Sequence, residues 1–119
     1  MIQKFEIQAV HTLADEKLKA YVRRKLGRLD RYISRQNRVS AHLEVHLKET
    51  AQKGSDRYRC EVTLHLPHQN IVVKENAINM YAAVDIVEAK LKQQLQKYKE
   101  RHASGKMHRR LFARFRRRT

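Results

Sequence analysis

From residue 2 to residue 9, apolar and polar positions alternate. Phe5, Ile7 and Ala9 fall on one side and Lys4, Glu6 and Gln8 on the other, the period of a half-buried strand. The period then changes. Leu18, Val22, Leu26, Leu29 and Ile33 recur at spacings of four, four, three and four, which predicts one apolar stripe on a helix of about 20 residues. Thr12, three residues ahead of Asp15, reads as the cap, with Asp15 supporting the N-terminal dipole. Gly27 falls opposite the stripe. Arg38 to Lys48 alternates again, with Val39, Ala41, Leu43, Val45 and Leu47 inward and Ser40, His42, Glu44, His46 and Lys48 outward. Arg57 to Leu66 repeats the pattern, with Tyr58, Cys60, Val62, Leu64 and Leu66 inward. Pro67 and the three residues after it make a turn into a shorter strand around Ile71 to Lys74. A second helix is expected from about Ala77 to His102, capped by Asn76 or Asn79. Its buried stripe is Met80, Val84, Val87, Leu91, Leu95 and Tyr98.

The order is therefore βαβββα. A crossover makes the first two strands parallel, and hairpins make the second, third and fourth antiparallel. Strands with one apolar and one polar face put both helices on the same side. The expected fold class is α+β, a two-layer sandwich with a four-stranded mixed sheet and two helices on one face. A chain of 119 residues fits one domain. Residues 1–104 form its body and residues 105–119, biased to arginine, a C-terminal tail.

Charge sharpens this picture. The chain carries 27 Lys and Arg against 12 Asp and Glu, a formal net charge of +15. The tail alone supplies seven Lys/Arg and no acid, so the remaining 104 residues are still basic, with 20 bases and 12 acids. Such a balance points to a polyanion, most simply nucleic acid. On the first helix Lys17, Arg24, Arg28, Arg31 and Arg35 cluster opposite the stripe, with Lys25 nearer its edge. From Lys17 to Arg35 the only acid is Asp30, so pairing along that helix leaves like charges uncompensated. On the second, Lys90, Lys97 and Arg101 flank one side and Lys92 and Lys99 the other. The bland reading of such runs is a solvated face.

Chemistry is mostly excluded. The single cysteine rules out a disulfide framework and suits a reducing cytoplasm. No stretch approaches the ~18 apolar residues of a membrane span, and the alternating N-terminus lacks the apolar block of a leader peptide. There is no Gly-rich phosphate loop, Cys pair, HExxH or nucleophile elbow. No catalytic residue, cofactor or small-molecule substrate is expected. His42, His46 and His65 share the open sheet face, but His42 and His46 lie roughly 13 Å apart along one strand, too far for one metal without other ligands. Solvent-facing histidines and no metal are expected. Cys60 reads as a core filler.

Residues 79–99, NMYAAVDIVEAKLKQQLQKYK, are more specific than composition. They resemble the signature helix of the ribosome hibernation-promoting factor and ribosome-associated inhibitor family, through Asn79-Met80-Tyr81, Val84-Asp85, Lys90-Leu91, Gln94-Leu95, Lys97 and Lys99. Lys25-Leu26-Gly27-Arg28-Leu29 matches a base-Leu-x-base-Leu run on the family's first helix. The resemblance spans about residues 2 to 101. It implies a non-enzymatic, cytoplasmic stress factor that binds the small ribosomal subunit and its 16S-type RNA, and whole ribosomes, in the channel for messenger RNA and the A- and P-site transfer RNAs. Carried over, it makes Lys25, Arg28, Lys90, Lys97 and Lys99 RNA contacts, with Gln94 bonding a sugar or phosphate. Tyr81 and Asp85 fix the helix on the sheet. Arg31 and Arg101 complete the candidate set from the two basic faces.

Two departures stand out. Tyr98 replaces a frequent family His, and the tail is basic where the inhibitor branch has an acidic one. The chain stops at Thr119, and the separate C-terminal domain of long members is not expected. Arg109, Arg110, Arg114, Arg116, Arg117 and Arg118 in the tail are candidate RNA contacts, beside Phe112 and Phe115. An interfacial membrane helix is the other reading of that segment. Two further functions stay open: a double-stranded-RNA-type module, which shares a βββα core, and a small RNA-processing nuclease resting on the sheet histidines.

Overall fold

The computed structural model describes residues 2, 4–10, 12–50, 57–67 and 69–101. The tail from 105 onward, with its six arginines, lies outside them. Strands β1 (Lys4–Val10), β2 (His42–Glu49), β3 (Tyr58–Leu66) and β4 (Gln69–Ala77) form one sheet in the order β1-β2-β3-β4. β1 runs parallel to β2, and the other neighbours are antiparallel. Helices α1 (Glu16–Gly27) and α3 (Met80–Arg101) contribute to one core with the inward face of the sheet. The expected α+β sandwich is the observed one.

The alternation in the chain explains the layers. Leu43, Val45 and Leu47 on β2, Cys60, Val62 and Leu64 on β3, and Ile71 and Val73 on β4 are buried against Leu18, Val22 and Leu26 of α1 and Val84, Val87, Leu91 and Leu95 of α3. Fully burying one such side chain contributes about 1.5–3 kcal/mol. Cys60 sits within this layer, and burial pushes its thiol up to about 12, which makes it inert filler.

Several boundaries differ from the sequence reading. Asp15, not Thr12, caps α1, its Oδ1 accepting from the backbone N–H of Leu18 at 2.8 Å. The expected single long helix is 12 residues of α-helix, then a 3₁₀ turn from Arg28 to Tyr32, then the short helix α2 (Arg35–Arg38), capped by Ser34. The three-residue step from Leu26 to Leu29 marks the tightening, and Leu29 and Ile33 still return to the core. Gly27, expected toward solvent, is buried where α1 gives way to that turn. Val39, expected inward on a strand, follows α2 and is exposed. Ala9 is exposed rather than inward. β4 is longer than Ile71 to Lys74, because β3 templates it as far as Ala77 opposite Tyr58. α3 consequently starts at Met80, with Asn79 Oδ1 accepting from Ala82 N–H at 2.8 Å.

Tyr98 fastens the far end of α3. Its hydroxyl donates to the Pro67 carbonyl at 3.0 Å and accepts from Asn37 Nδ2 at 3.3 Å, joining α3 to the β3–β4 turn and to α2. Burial raises its pKa.

Candidate nucleic-acid interface

Charge separates by layer. The segments from Glu16 to Arg38 and from Met80 to Arg101 carry fourteen Lys and Arg against five Asp and Glu, whereas the four strands carry four against five. The excess positive charge of the described residues therefore belongs to the helical layer.

Within that layer α3 lies over β3 and β4 and against α1. The two helices meet through polar groups as well as the core. Tyr21 on α1 donates its hydroxyl to Asp85 Oδ1 on α3, and its ring meets Tyr81 edge-on at 4.9 Å between centroids. Lys25 Nζ lies 3.7 Å from Asp85 and 3.9 Å from Glu88 Oε2, and Arg28 reaches the same Oε2 at 4.0 Å. Lys25 and Arg24 also flank the Tyr21 ring, 5.6 and 5.4 Å from its centroid. Asp85 thus joins helix to helix, where anchoring of helix on sheet was expected, and Tyr81 meets Tyr21 while also packing against the shared core. The like charges expected to stand uncompensated on α1 are partly answered by these acids, three residues apart on α3.

Beside this junction lies a cleft of about 180 Å³, lined by Lys25, Arg28, Leu29, Arg31, Tyr32, Glu88 and Lys92. Three of the candidate residues named from the sequence, Lys25, Arg28 and Arg31, come together here. Two others were missed. Lys92 projects over the Tyr32 ring, 5.6 Å from its centroid. Its signal was available, since it lies seven positions, close to two full turns, before Lys99 on the same flank. Tyr32 had none, because its position depends on the 3₁₀ turn.

The remaining candidates form a second strip. Lys90 pairs with Glu75 of β4, on the opposite flank of α3 from Lys92. Gln94 and Lys97 follow it at helical spacing, and both are exposed. Lys99 is exposed on the Lys92 flank. The backbone of Arg101 closes α3, but its side chain lies outside what is described. An array of cations with donors on two flanks of one helix can hold phosphates at several points.

The opposite face of the sheet has a different character. His42, His46 and His65 lie on it as expected, half-buried by their neighbours rather than fully exposed. His42 and His65 are cross-strand partners with ring centroids 5.3 Å apart. No described helix is long and apolar enough to cross a membrane.

Known proteins resemble this chain in sequence and in fold. The ribosome hibernation promotion factor of Lactococcus lactis is 35% identical over 98 residues, 82% of this chain and 50% of that protein. That of Staphylococcus aureus is 28% identical over the same length, 49% of the protein. The chain thus spans about half the length of these relatives. The N-terminal domain of Thermus thermophilus Protein Y superposes with a TM-score of 0.66 at 26% identity, covering 78% of this chain and 94% of that one. A ribosomal subunit interface protein from Coxiella burnetii shares the fold, with a TM-score of 0.66 at 20% identity over 82% of this chain and 98% of its own. The sequence pattern described as sigma 54 modulation protein / S30EA ribosomal protein matches residues 5–103, and the chain belongs to that family.

Proposed function

We infer that this protein binds the ribosome and silences it by occupancy, without catalysis. Its target is the small subunit, in the channel that messenger RNA and the A- and P-site transfer RNAs would fill, and its compartment is the cytoplasm. The observation that carries this reading is the confinement of excess positive charge to the helical layer, where Lys25, Arg28, Arg31 and Lys92 surround one cleft. Phosphates of folded ribosomal RNA suit such an array, because it recognises backbone and shape. The relatives named ribosome hibernation promotion factor support the same assignment.

Lys25, Arg28, Arg31, Lys90, Gln94, Lys97, Lys99 and Arg101, joined by Lys92 of the cleft, are the contacts of the body, residues 1–104. Arg109, Arg110, Arg114, Arg116, Arg117 and Arg118 are those of an appended arm. Sedimentation of cell extract through a sucrose gradient tests the function. The protein should travel with small subunits and whole ribosomes, and a Lys25→Ala/Arg28→Ala/Lys92→Ala variant should stay near the top while keeping its helical and strand signal by circular dichroism. Equal sedimentation of variant and parent would reject the cleft as the interface. Absence of the parent from ribosomal fractions would reject the function.

A further inference from the structure

On the open face of the sheet, three strands bring two imidazoles and two carboxylates together. His42 and His65 face each other across β2 and β3, Glu44 lies two residues along β2 from His42, and Glu6 pairs with Glu44 in the β1–β2 register. His42 Nε2 is 3.5 Å from Glu6 Oε1, and His65 Nε2 is 3.4 Å from Glu44 Oε1. One ligand atom each of His42, Glu44 and His65 falls within 4.8 Å of the others. From these contacts we propose that His42, His65 and Glu44, with Glu6 at the rim, form a binding site for a divalent transition metal ion of the zinc class.

Three observations support it independently of the ribosome reading. First, zinc bonds of about 2 Å to nitrogen and oxygen set neighbouring donors of a tetrahedron about 3.3 Å apart. Both histidine–carboxylate distances are close to that edge. Second, His65 Nε2 is closed off from solvent and makes no hydrogen bond, although Glu44 is beside it. A nitrogen so placed loses its hydration without gaining a hydrogen bond, and coordination would replace it. Third, the parallel β1–β2 register sets Glu6 and Glu44, two like charges, opposite each other on this face, each beside one of the two imidazoles, and a bound cation would offset their repulsion. Imidazole donors select zinc, copper or nickel over magnesium and calcium, which prefer all-oxygen shells. The expectation of no metal rested on His42 and His46 along one strand. The pairing that creates a site runs across strands, from His42 to His65.

Such an ion would tie the parallel edge strand β1 to β2 and β3. The test is calorimetric titration of the full chain with zinc chloride in chelator-cleared buffer, alongside thermal unfolding with and without zinc. The parent and the His46→Ala control should each take up zinc saturably at one site and gain thermal stability from it. His42→Ala, His65→Ala and the shape-conserving Glu44→Gln should each bind about 100-fold more weakly or worse, and zinc should leave their unfolding midpoints unmoved. Magnesium should do nothing to any of them. Absence of saturable uptake by the parent overturns the site. So does uptake that survives both His42→Ala and His65→Ala, which would place the metal on other histidines of the chain.

Discussion

Tyr21 donates to Asp85 across the α1–α3 junction. That hydrogen bond, with burial and the nearby carboxylates, pushes its pKa up to about 12 from an ordinary 10.0. A folded-state pKa above the unfolded one contributes stability that is complete below pH 10.0 and lost as pH rises through about 12. In a spectrophotometric titration Tyr21 should therefore ionise late, as should the buried Tyr98, and Asp85→Asn should return Tyr21 alone toward the ordinary range. Glu61 has the opposite sign. Burial opposes its ionisation, but hydrogen bonds from Lys48 and Arg59 outweigh this and hold its carboxyl below 4.5. Its contribution is present above pH 4.5 and disappears as acid titrates the folded-state carboxyl. Glu61→Gln should flatten the acid limb of stability measured by denaturant unfolding. Glu88 is a third case, since its Oε2 is buried without a hydrogen bond between Lys25 and Arg28. A phosphate arriving in the cleft must compete with this carboxylate for both cations. Glu88→Gln should therefore tighten RNA binding severalfold and slow dissociation, measured by stopped-flow release from ribosomes; unchanged dissociation would exclude phosphate from that position.

At the scale of elements, Tyr98 offers the clearest stability test. Tyr98→Phe keeps the buried ring but leaves the Pro67 carbonyl without its donor, at a cost of about 1 kcal/mol. That corresponds to a midpoint lower by about 5 °C for a domain of this size, read by thermal unfolding. The same scale separates what the sequence could and could not reveal. β2 and β3 were legible because each buries one face only, so Leu43 to Leu47 and Cys60 to Leu64 alternate without interruption. α3 was legible because its stripe runs unbroken from Met80 to Tyr98. The break after Gly27 was not, since a step of three residues suits an α-helix and a 3₁₀ turn equally. Val39 matched a strand by accident of period, and the Ser34 cap with its four-residue helix took precedence. The cleft was only half visible for the same reason. Lys25, Arg28 and Arg31 could be named from one helix face, whereas Tyr32 and the facing Glu88 enter through the turn and through tertiary packing.

For the whole molecule the decisive variable is ionic strength. If about five phosphates are neutralised, the logarithm of the affinity should fall against the logarithm of salt with a slope of about −4. Each cation removed from the cleft should reduce that slope by about one. A flat salt dependence in filter binding to small subunits would point instead to a protein partner. Truncation after Ser104 removes seven cations; it should leave inhibition of translation intact and hasten release at raised salt, and unaltered release would exclude the tail as an arm. Segregated charge also acts before any contact is made. Fourteen cations against five acids in one layer, over a nearly neutral sheet, give the described residues an electric moment directed from sheet to helices, so the field of a polyanion exerts a torque as well as a pull. Encounters that begin sheet-first are turned over during approach, and the productive fraction of collisions rises without any new contact. Docked helix-first, the protein would leave its sheet facing the solvent, with the His42 and His65 rings the part of a bound copy that passing ions still meet.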